Sequence, residues 1–221
     1  MKIRNIFCIL AKTGAGKSFY YNKLIEDKQF MEKNNVSALV YGTTRKSRDG
    51  EIDGVDYYFY SREEYKKIPY DDLIEQRTYY TINDGKISYF TKKEFFDNKD
   101  NVICIVSPYQ YDSYKNWCLK QNIIQTDVKY CLYLIYIDTN IKIRLKRLVD
   151  RGSTENDIYE ACRRCLEEKS EFENVSKHVP EINDPKSLDN HTIYINNDSD
   201  KNEDIAKNLS DIKSFIAVYI K

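Results

Sequence analysis

The chain of 221 residues alternates short apolar runs with longer stretches in which charged and apolar residues mix. The runs are nearly continuous and rich in β-branched residues, which is typical of strands buried on both faces of a parallel sheet. Four runs are clear, and a fifth is weaker. The clear runs span residues 3–10, 102–106, 130–137 and 192–195, and the weaker one spans residues 38–41.

The stretches between these runs predict helices. Ser107-Pro108 is a helix start signal, and Asp138-Thr139 can cap the helix that follows them. The predicted helices span residues 17–28, 109–121, 140–150, 157–173 and 203–219. Alternation of strand and helix predicts an α/β fold of three layers, with a parallel central sheet and right-handed crossovers.

Two regions interrupt the alternation. Residues 42–96 are rich in Tyr, Arg, Gly and Asp with short alternating runs, which indicates a small mixed β insertion. Residues 150–157 are polar and contain glycine, as is typical of a mobile lid, and residues 180–190 indicate a polar loop. We therefore expect one domain with a core of residues 1–37, 97–149 and 158–221, an insertion at 38–96 and a lid at 150–157.

The segment after the first strand, Ala-Lys-Thr-Gly-Ala-Gly-Lys-Ser at residues 11–18, has the order of a phosphate-binding loop. Gly14 and Gly16 allow backbone N–H groups to turn inward, and the following helix adds the positive end of its dipole. Lys17 supplies a charge for the β- and γ-phosphates, and the Ser18 hydroxyl is placed to bind Mg²⁺. The predicted triphosphate site comprises Thr13, Gly14, Ala15, Gly16, Lys17 and Ser18. Ala11 stands where the usual pattern has Gly, and an ordinary strand-to-helix turn is the alternative.

The charge balance favours no particular class of partner, although local basic clusters remain possible. The 35 basic and 35 acidic side chains balance, which gives no support to a nucleic-acid or membrane surface role. The sequence has no apolar run of about 18 residues, so we expect no membrane span. The first strand and the loop follow the N-terminus directly, from which we expect a cytoplasmic protein.

The six cysteines give little sign of a metal or redox site. Cys8, Cys104 and Cys131 lie in apolar runs and are predicted to be small core residues. Cys162 and Cys165 form a C-x-x-C pair without a second pair or a nearby histidine, which favours coincidence over metal or redox chemistry.

A second motif follows at residues 43–59. Arg45 and Arg48 lie beside hydroxyl groups and a tyrosine, which on general grounds indicates either an anion site or a solvated charged hairpin. The segment resembles the T-T-R-x-x-R-x-G-E-x-x-G-x-D-Y-x-F motif of guanylate kinases. The matching residues are Thr43, Thr44, Arg45, Arg48, Gly50, Glu51, Gly54, Asp56, Tyr57 and Phe59. The resemblance implies that Arg45, Arg48 and Tyr57 bind the monophosphate of an acceptor nucleotide.

The resemblance also implies residues for the acceptor base. Glu75 falls where the family has the glutamate that accepts hydrogen bonds from guanine N1 and the 2-amino group. Tyr89 and Thr91 resemble the residues that contact phosphate and base, beyond an altered loop at residues 79–88.

Later segments resemble the lid and the adenine pocket of the same family. Arg147 and Arg151 would close over the ATP phosphates, and Arg163 or its neighbour Arg164 would add to that cluster. A surface role is the alternative for any single one of these arginines. Asn196 lies in a Tyr-Ile-Asn-Asn-Asp segment that is similar to the turn near adenine.

One segment departs from the family. Guanylate kinases have L-D-I-D at the end of the strand after the insertion, whereas this chain has Cys-Ile-Val-Ser-Pro at residues 104–108. Both carboxylates that help to hold guanine and to organise the metal are therefore replaced. Ser107 offers a hydroxyl, and we expect base selectivity to be relaxed.

The resemblance implies an ATP- and Mg²⁺-dependent kinase that converts a purine nucleoside monophosphate, best GMP or dGMP, to its diphosphate. Lys17, Arg45, Arg147, Arg151 and Arg163 would act on the transferring phosphoryl group. The expected partners are these small nucleotides, with no nucleic acid or membrane, and the expected assembly is a monomer or homodimer. Two alternatives stay open: a kinase of another phosphorylated acceptor such as a ribose bisphosphate, and a non-catalytic guanylate-kinase-like binding module. Glu75 argues against the former, and the intact phosphate loop against the latter.

Overall fold

The computed structural model describes residues 1–81, 85–152, 154–177, 179–184 and 191–220. They form two units, Met1–Ser37 with Asp100–Lys221 and Ala38–Lys99. In chain order the strands are β1 (Lys2–Ala11), β2 (Val36–Ala38), β3 (Tyr41–Thr43), β4 (Tyr57–Phe59), β5 (Leu73–Thr81), β6 (Gly85–Lys92), β7 (Asn101–Val106), β8 (Val128–Asp138) and β9 (Thr192–Asn196). The helices are α1 (Lys17–Glu26), α2 (Lys28–Lys33), α3 (Arg62–Lys66), α4 (Pro108–Ile124), α5 (Ile141–Arg151), α6 (Glu155–Val175), α7 (Pro180–Asn183) and α8 (Asn202–Tyr219).

The central sheet of the first unit confirms the predicted α/β fold. Its described strands have the order β2-β7-β1-β8-β9, and β1 pairs in parallel with both β7 and β8. Strands β7 and β8 follow β1 in the chain but lie on opposite sides of it. The carboxyl end of β1 is therefore a topological switch point, where α/β sheets form their ligand sites.

The core of the first unit packs the apolar runs against two helices. Phe7 on β1 stacks on Tyr133 of β8 with ring centroids 5.0 Å apart. Helices α1 and α8 cover this face through fully buried Tyr20, Leu24, Ile212 and Ile216. Cys8 and Cys104 are also fully buried, and Cys131 packs at the margin of the core, so the predicted roles of these cysteines are confirmed.

The second unit confirms the predicted small mixed β insertion. In its described part the strand order is β4-β3-β6-β5, with β3 parallel to β4 and antiparallel to β6. Its core is aromatic: Phe90 contacts Tyr60, Tyr65 and Phe95. A Cβ atom on Gly42 would lie 2.4 Å from the Phe90 ring, so the ring requires glycine on the neighbouring strand.

Helix starts follow local capping chemistry. Ser107 and Gln110 form a capping box at α4, which confirms the predicted start signal. The predicted cap of α5 was wrong, because the Asn140 side chain accepts from Lys142 N–H, whereas Asp138 accepts from the Tyr194 hydroxyl. Within the described residues, none of the helices is both long and apolar enough to cross a membrane.

Other predicted elements were also wrong. Residues 38–41, predicted as one strand, instead connect the two units along the chain. Strand β2 ends there in one sheet, and β3 begins there in the other. The helix at residues 17–28 ends at Glu26, because Asp27 accepts from Phe30 N–H and starts α2. The loop at residues 180–190 begins with the short helix α7, and its residues 185–190 lie outside the described residues, as do 82–84 of the altered loop and Ser153 of the lid.

Candidate active site

The phosphate-binding loop connects β1 to α1 and needs glycine at two positions. Gly14 has a φ of 80° and Gly16 a φ of 98°, both in the left-handed region. A Cβ atom on Gly14 would lie 2.8 Å from the Arg144 carbonyl oxygen, and one on Gly16 would lie 2.6 Å from Asn197 Nδ2. Backbone strain and close packing therefore both exclude larger residues here.

The start of α1 has the features of an anion site. Gly16 is its N-cap residue and supplies no side-chain cap. Backbone N–H groups and the helix dipole bind phosphate at such a start. Lys17 is half-buried on the first turn, and Ser18 beside it is exposed.

Two charged residues support the loop at Thr13. Glu168 of α6 accepts from Thr13 N at 2.6 Å and from Thr13 Oγ1 at 3.0 Å. Arg144 of α5 is buried, donates to the Thr13 carbonyl oxygen at 3.0 Å and lies 3.6 Å from the Glu168 carboxylate. Burial raises the pKa of Glu168, whereas the hydrogen bonds from Thr13 oppose that rise. Sequence reasoning missed both residues, because each lies more than a hundred positions from Thr13 and belongs to no motif.

Asn197 holds the other side of the loop. Its buried side chain donates to the Ala15 carbonyl oxygen at 2.8 Å and accepts from the Tyr20 hydroxyl at 2.9 Å. The predicted residue, Asn196, is exposed and accepts from Asp198 N–H. Successive side chains alternate at the end of β9, so the neighbour of the predicted asparagine is the one that contacts the loop.

A cavity of about 360 Å³ opens beside the loop in the first unit. Arg147 and Arg151, both predicted for the lid, line it. Arg147 donates to Asp200 at 2.6 Å and to the Asn197 carbonyl oxygen at 3.1 Å. The other residues that line it are Gly14, Gly16, Phe19, Asp150, Asn197, Asp200 and Ile205. The cavity thus combines loop glycines, two arginines, two aspartates, an asparagine and two apolar side chains. Its arginines and loop backbone suit the phosphates of a nucleotide, and its apolar side chains suit a base.

The structure does not bring Arg163 to this cavity, as far as the described residues show. Its exposed guanidinium pairs with Glu160 and Glu167 on its own helix α6. Arg164 also pairs with Glu160 and is exposed. Both arginines occupy surface ion pairs of the i, i+3 or i, i+4 type.

Arg45 is the centre of the predicted acceptor-phosphate residues in the second unit. It is buried, forms a bidentate pair with Glu51 at 2.8 and 2.9 Å, and donates to the Tyr89 hydroxyl at 3.3 Å. Its guanidinium lies 5.4 Å from the centre of the Tyr57 ring. The hydrogen bonds from Arg45 lower the pKa of Glu51 to about 2. Arg48 is exposed, and its backbone N–H donates to Glu51 at 2.7 Å.

The predicted base residues also lie together. Glu75 and Thr91 face each other across β5 and β6, and Thr91 Oγ1 donates to Glu75 Oε1 at 2.8 Å. Arg77 Nε donates to the second carboxylate oxygen, Glu75 Oε2, at 3.2 Å. Sequence reasoning missed Arg77, although its position two residues after Glu75 on a strand places both on one face.

The departure at residues 104–108 has a structural consequence. Ser107 Oγ accepts from Gln110 N–H at 3.3 Å, and Gln110 Oε1 accepts from Ser107 N–H at 2.9 Å. The hydroxyl therefore caps α4. Among the described residues, no three histidine, cysteine, aspartate or glutamate side chains are grouped to hold a metal ion. Cys162 is exposed and Cys165 half-buried on α6, both as free thiols.

Known proteins resemble this chain in sequence. The guanylate kinase family model matches residues 3–105. A guanylate kinase of Mycoplasmoides gallisepticum is 28% identical over 97% of this chain and 92% of its own length. One of Mycoplasmopsis pulmonis is 31% identical over 57% of this chain and 74% of its own length.

A solved structure supports the fold independently. The crystal structure of guanylate kinase from Anaplasma phagocytophilum has a TM-score of 0.52 at 18% identity, covering 96% of this chain and 85% of its own. Fold, phosphate loop and acceptor motif agree with these matches, and the chain belongs to the guanylate kinase family of nucleoside monophosphate kinases.

Proposed function

We propose that the chain transfers the γ-phosphoryl group of ATP to GMP or dGMP. The observation that carries this choice is the buried Glu75 carboxylate, which Thr91 holds on the same unit as the Arg45 and Tyr89 pair. A buried carboxylate beside an anion site fits a guanine nucleotide, whose N1–H and 2-amino group can both donate to it. A sugar phosphate has no such base edge.

Residues of the first unit bind the donor in this proposal. Backbone N–H groups of the loop and Lys17 bind the ATP phosphates, and Arg147 and Arg151 neutralise charge on them. Ser18 would hold Mg²⁺, which fits its exposed hydroxyl on the first turn of α1. Bound Mg²⁺ supplies further neutralisation of the β- and γ-phosphate oxygens.

Residues of the second unit bind the acceptor. Arg48 and Tyr57 bind its monophosphate together with Arg45, which keeps its orientation through Glu51 and Tyr89. Positioning and charge neutralisation dominate phosphoryl transfer, so no covalent intermediate on the protein is needed.

A coupled assay of ADP release tests the proposal with GMP, dGMP, AMP, CMP and a ribose bisphosphate as acceptors. We expect GMP or dGMP to have the highest kcat/KM, and Lys17→Ala to abolish transfer without loss of the fold. Preference for AMP or for the sugar phosphate would overturn the guanine assignment. Transfer by Lys17→Ala within about threefold of the parent would remove Lys17 from the mechanism.

A further inference from the structure

Arg77 lies on the same face of the acceptor unit as the predicted base residues. On β5, Glu75 and Arg77 are two residues apart, so their side chains leave the strand on one side. Across the sheet, Thr91 pairs with Glu75 and Tyr89 with Arg77. These four side chains lie on one face of the paired strands β5 and β6.

Arg77 contacts the carboxylate that the proposed function assigns to guanine. Its Nε lies 3.2 Å from Glu75 Oε2, and the side chain is 29% exposed, against 5% for Glu75. The Arg77 side chain is therefore more accessible than the carboxylate that it contacts. A carboxylate has about four acceptor positions on its two oxygens, so the hydrogen bonds from Arg77 and Thr91 do not by themselves prevent Glu75 from accepting from a ligand.

A carboxylate beside a guanidinium matches the edge of guanine. Guanine offers N1–H and the 2-amino group as donors, with O6 as an acceptor next to them. Glu75 can accept from the two donors, and O6 then needs a donor at the adjacent position. Arginine is the side chain that most often donates to guanine O6. Adenine has an amino group in place of O6. That amino group is a donor and would face the guanidinium, which is also a donor.

We propose that Arg77 is a specificity-determining residue, which donates to O6 of the acceptor base beside Glu75. This inference rests on the proposed guanine nucleotide kinase activity and deepens it. It supplies a base contact in addition to the family motif, in a chain that lacks both carboxylates expected at residues 104–108. Selection for guanine over adenine is then stricter than those replacements alone imply.

Nucleotide analogues distinguish an O6 contact by Arg77 from two other roles, orienting Glu75 and binding the acceptor phosphate. IMP keeps O6 and N1–H but lacks the 2-amino group. 2-Aminopurine ribonucleoside monophosphate lacks both O6 and N1–H, and it can donate to Glu75 only through its 2-amino group. If Arg77 only orients Glu75, its loss affects every acceptor that uses Glu75, including the 2-aminopurine nucleotide. If it binds the acceptor phosphate, its loss affects all acceptors equally.

The experiment compares kcat/KM for GMP, IMP, AMP and the 2-aminopurine nucleotide in the parent, Arg77→Ala and Lys86→Ala. Lys86 is the matched control, because it is an exposed cation on β6 whose side chain leaves the opposite face. We expect Arg77→Ala to lower kcat/KM for GMP and for IMP by roughly 10- to 100-fold. The 2-aminopurine nucleotide should change by less than about threefold, and Lys86→Ala should match the parent.

Equal losses for GMP and the 2-aminopurine nucleotide would overturn the O6 contact, as would an unchanged kcat/KM for GMP. Thermal unfolding and ATP affinity check that the variant is folded. If Arg77→Ala does not fold, Arg77→Lys is measured in its place, because lysine keeps the charge and lacks the planar guanidinium. The kcat/KM for GMP should again fall more than that for the 2-aminopurine nucleotide. A parent that turns over no guanine nucleotide would instead refute the proposed function, which separates the two failures.

Discussion

The Glu168 carboxylate accepts a hydrogen bond from the backbone N–H of Thr13 at 2.6 Å, which ties α6 to the phosphate-binding loop. The same carboxylate accepts from the Thr13 hydroxyl and lies beside buried Arg144. The loop is thus held at Thr13 by an acidic and a basic side chain, whereas Gly14 and Gly16 line the cavity beside it. This arrangement makes loop geometry depend on a residue that the motif does not contain.

Replacing Glu168 should weaken ATP binding. Glu168→Ala leaves the Thr13 N–H without its acceptor and Arg144 without its carboxylate, at a cost of about 1–3 kcal/mol. Glu168→Gln retains one acceptor oxygen and should therefore lose less ATP affinity than Glu168→Ala. Isothermal titration with ATP measures the effect, and Glu167→Gln, an exposed neighbour on the same helix, is the control. ATP affinity equal to the parent in Glu168→Ala would show that the contact does not shape the loop.

Gly16→Ala should impair ATP binding far more than an alanine at another left-handed glycine. Positive φ costs an alanine about 1–2 kcal/mol at either place. At Gly16 the new Cβ also meets the Asn197 amide, which its bonds to Ala15 and Tyr20 hold in place. At Gly50, with a φ of 87°, no described atom beyond the residue itself and its two chain neighbours lies within 4 Å of the added carbon. The measurement is ATP affinity for both variants; similar losses would argue against a tight fit at Gly16.

Arg48→Ala should weaken the acceptor much more than ATP. Arg48 is exposed, unlike Arg45, and a charge-assisted contact to phosphate contributes about 2 kcal/mol, or roughly 30-fold in affinity. Separate titrations with GMP and with ATP measure the two losses. Lys46→Ala, which removes another exposed charge from the same segment, should leave both affinities near the parent's. An equal weakening of GMP and ATP by Arg48→Ala would contradict its assignment to the acceptor.

Glu51 should make stability depend on pH in the acid range. Arg45 lowers the pKa of Glu51 from its ordinary 4.5 to about 2, so the ionised pair stabilises the fold above pH 4.5. That contribution is lost as the pH falls from 4.5 towards 2 and Glu51 gains a proton. Thermal midpoints of the parent and Glu51→Gln should therefore differ most above pH 4.5 and converge in acid. Glu63→Gln, an exposed glutamate outside the pair, is the control. A difference between parent and Glu51→Gln that does not vary with pH would argue against ionic pairing.

The contiguous features could be predicted from the sequence. The phosphate loop, the acceptor motif and the strand–helix alternation each lie within a short stretch, where spacing and residue type follow from local geometry. Most predicted helix and strand bounds agree with the structure to within a few residues. The errors fall where local signals compete: Asp27 starts a second helix, and residues 38–41 join two sheets.

The sequence by itself determined that this chain has a phosphate-loop motif and a segment that matches the acceptor motif of guanylate kinases. Only the tertiary structure decided that Asn197, rather than Asn196, contacts the loop, that Glu168 and Arg144 support Thr13, and that Arg77 pairs with Glu75. The physical reason is that a motif is set by neighbouring residues along the chain. Contacts between residues far apart, and the face on which a strand residue lies, depend on strand register and helix packing, which the whole fold settles together.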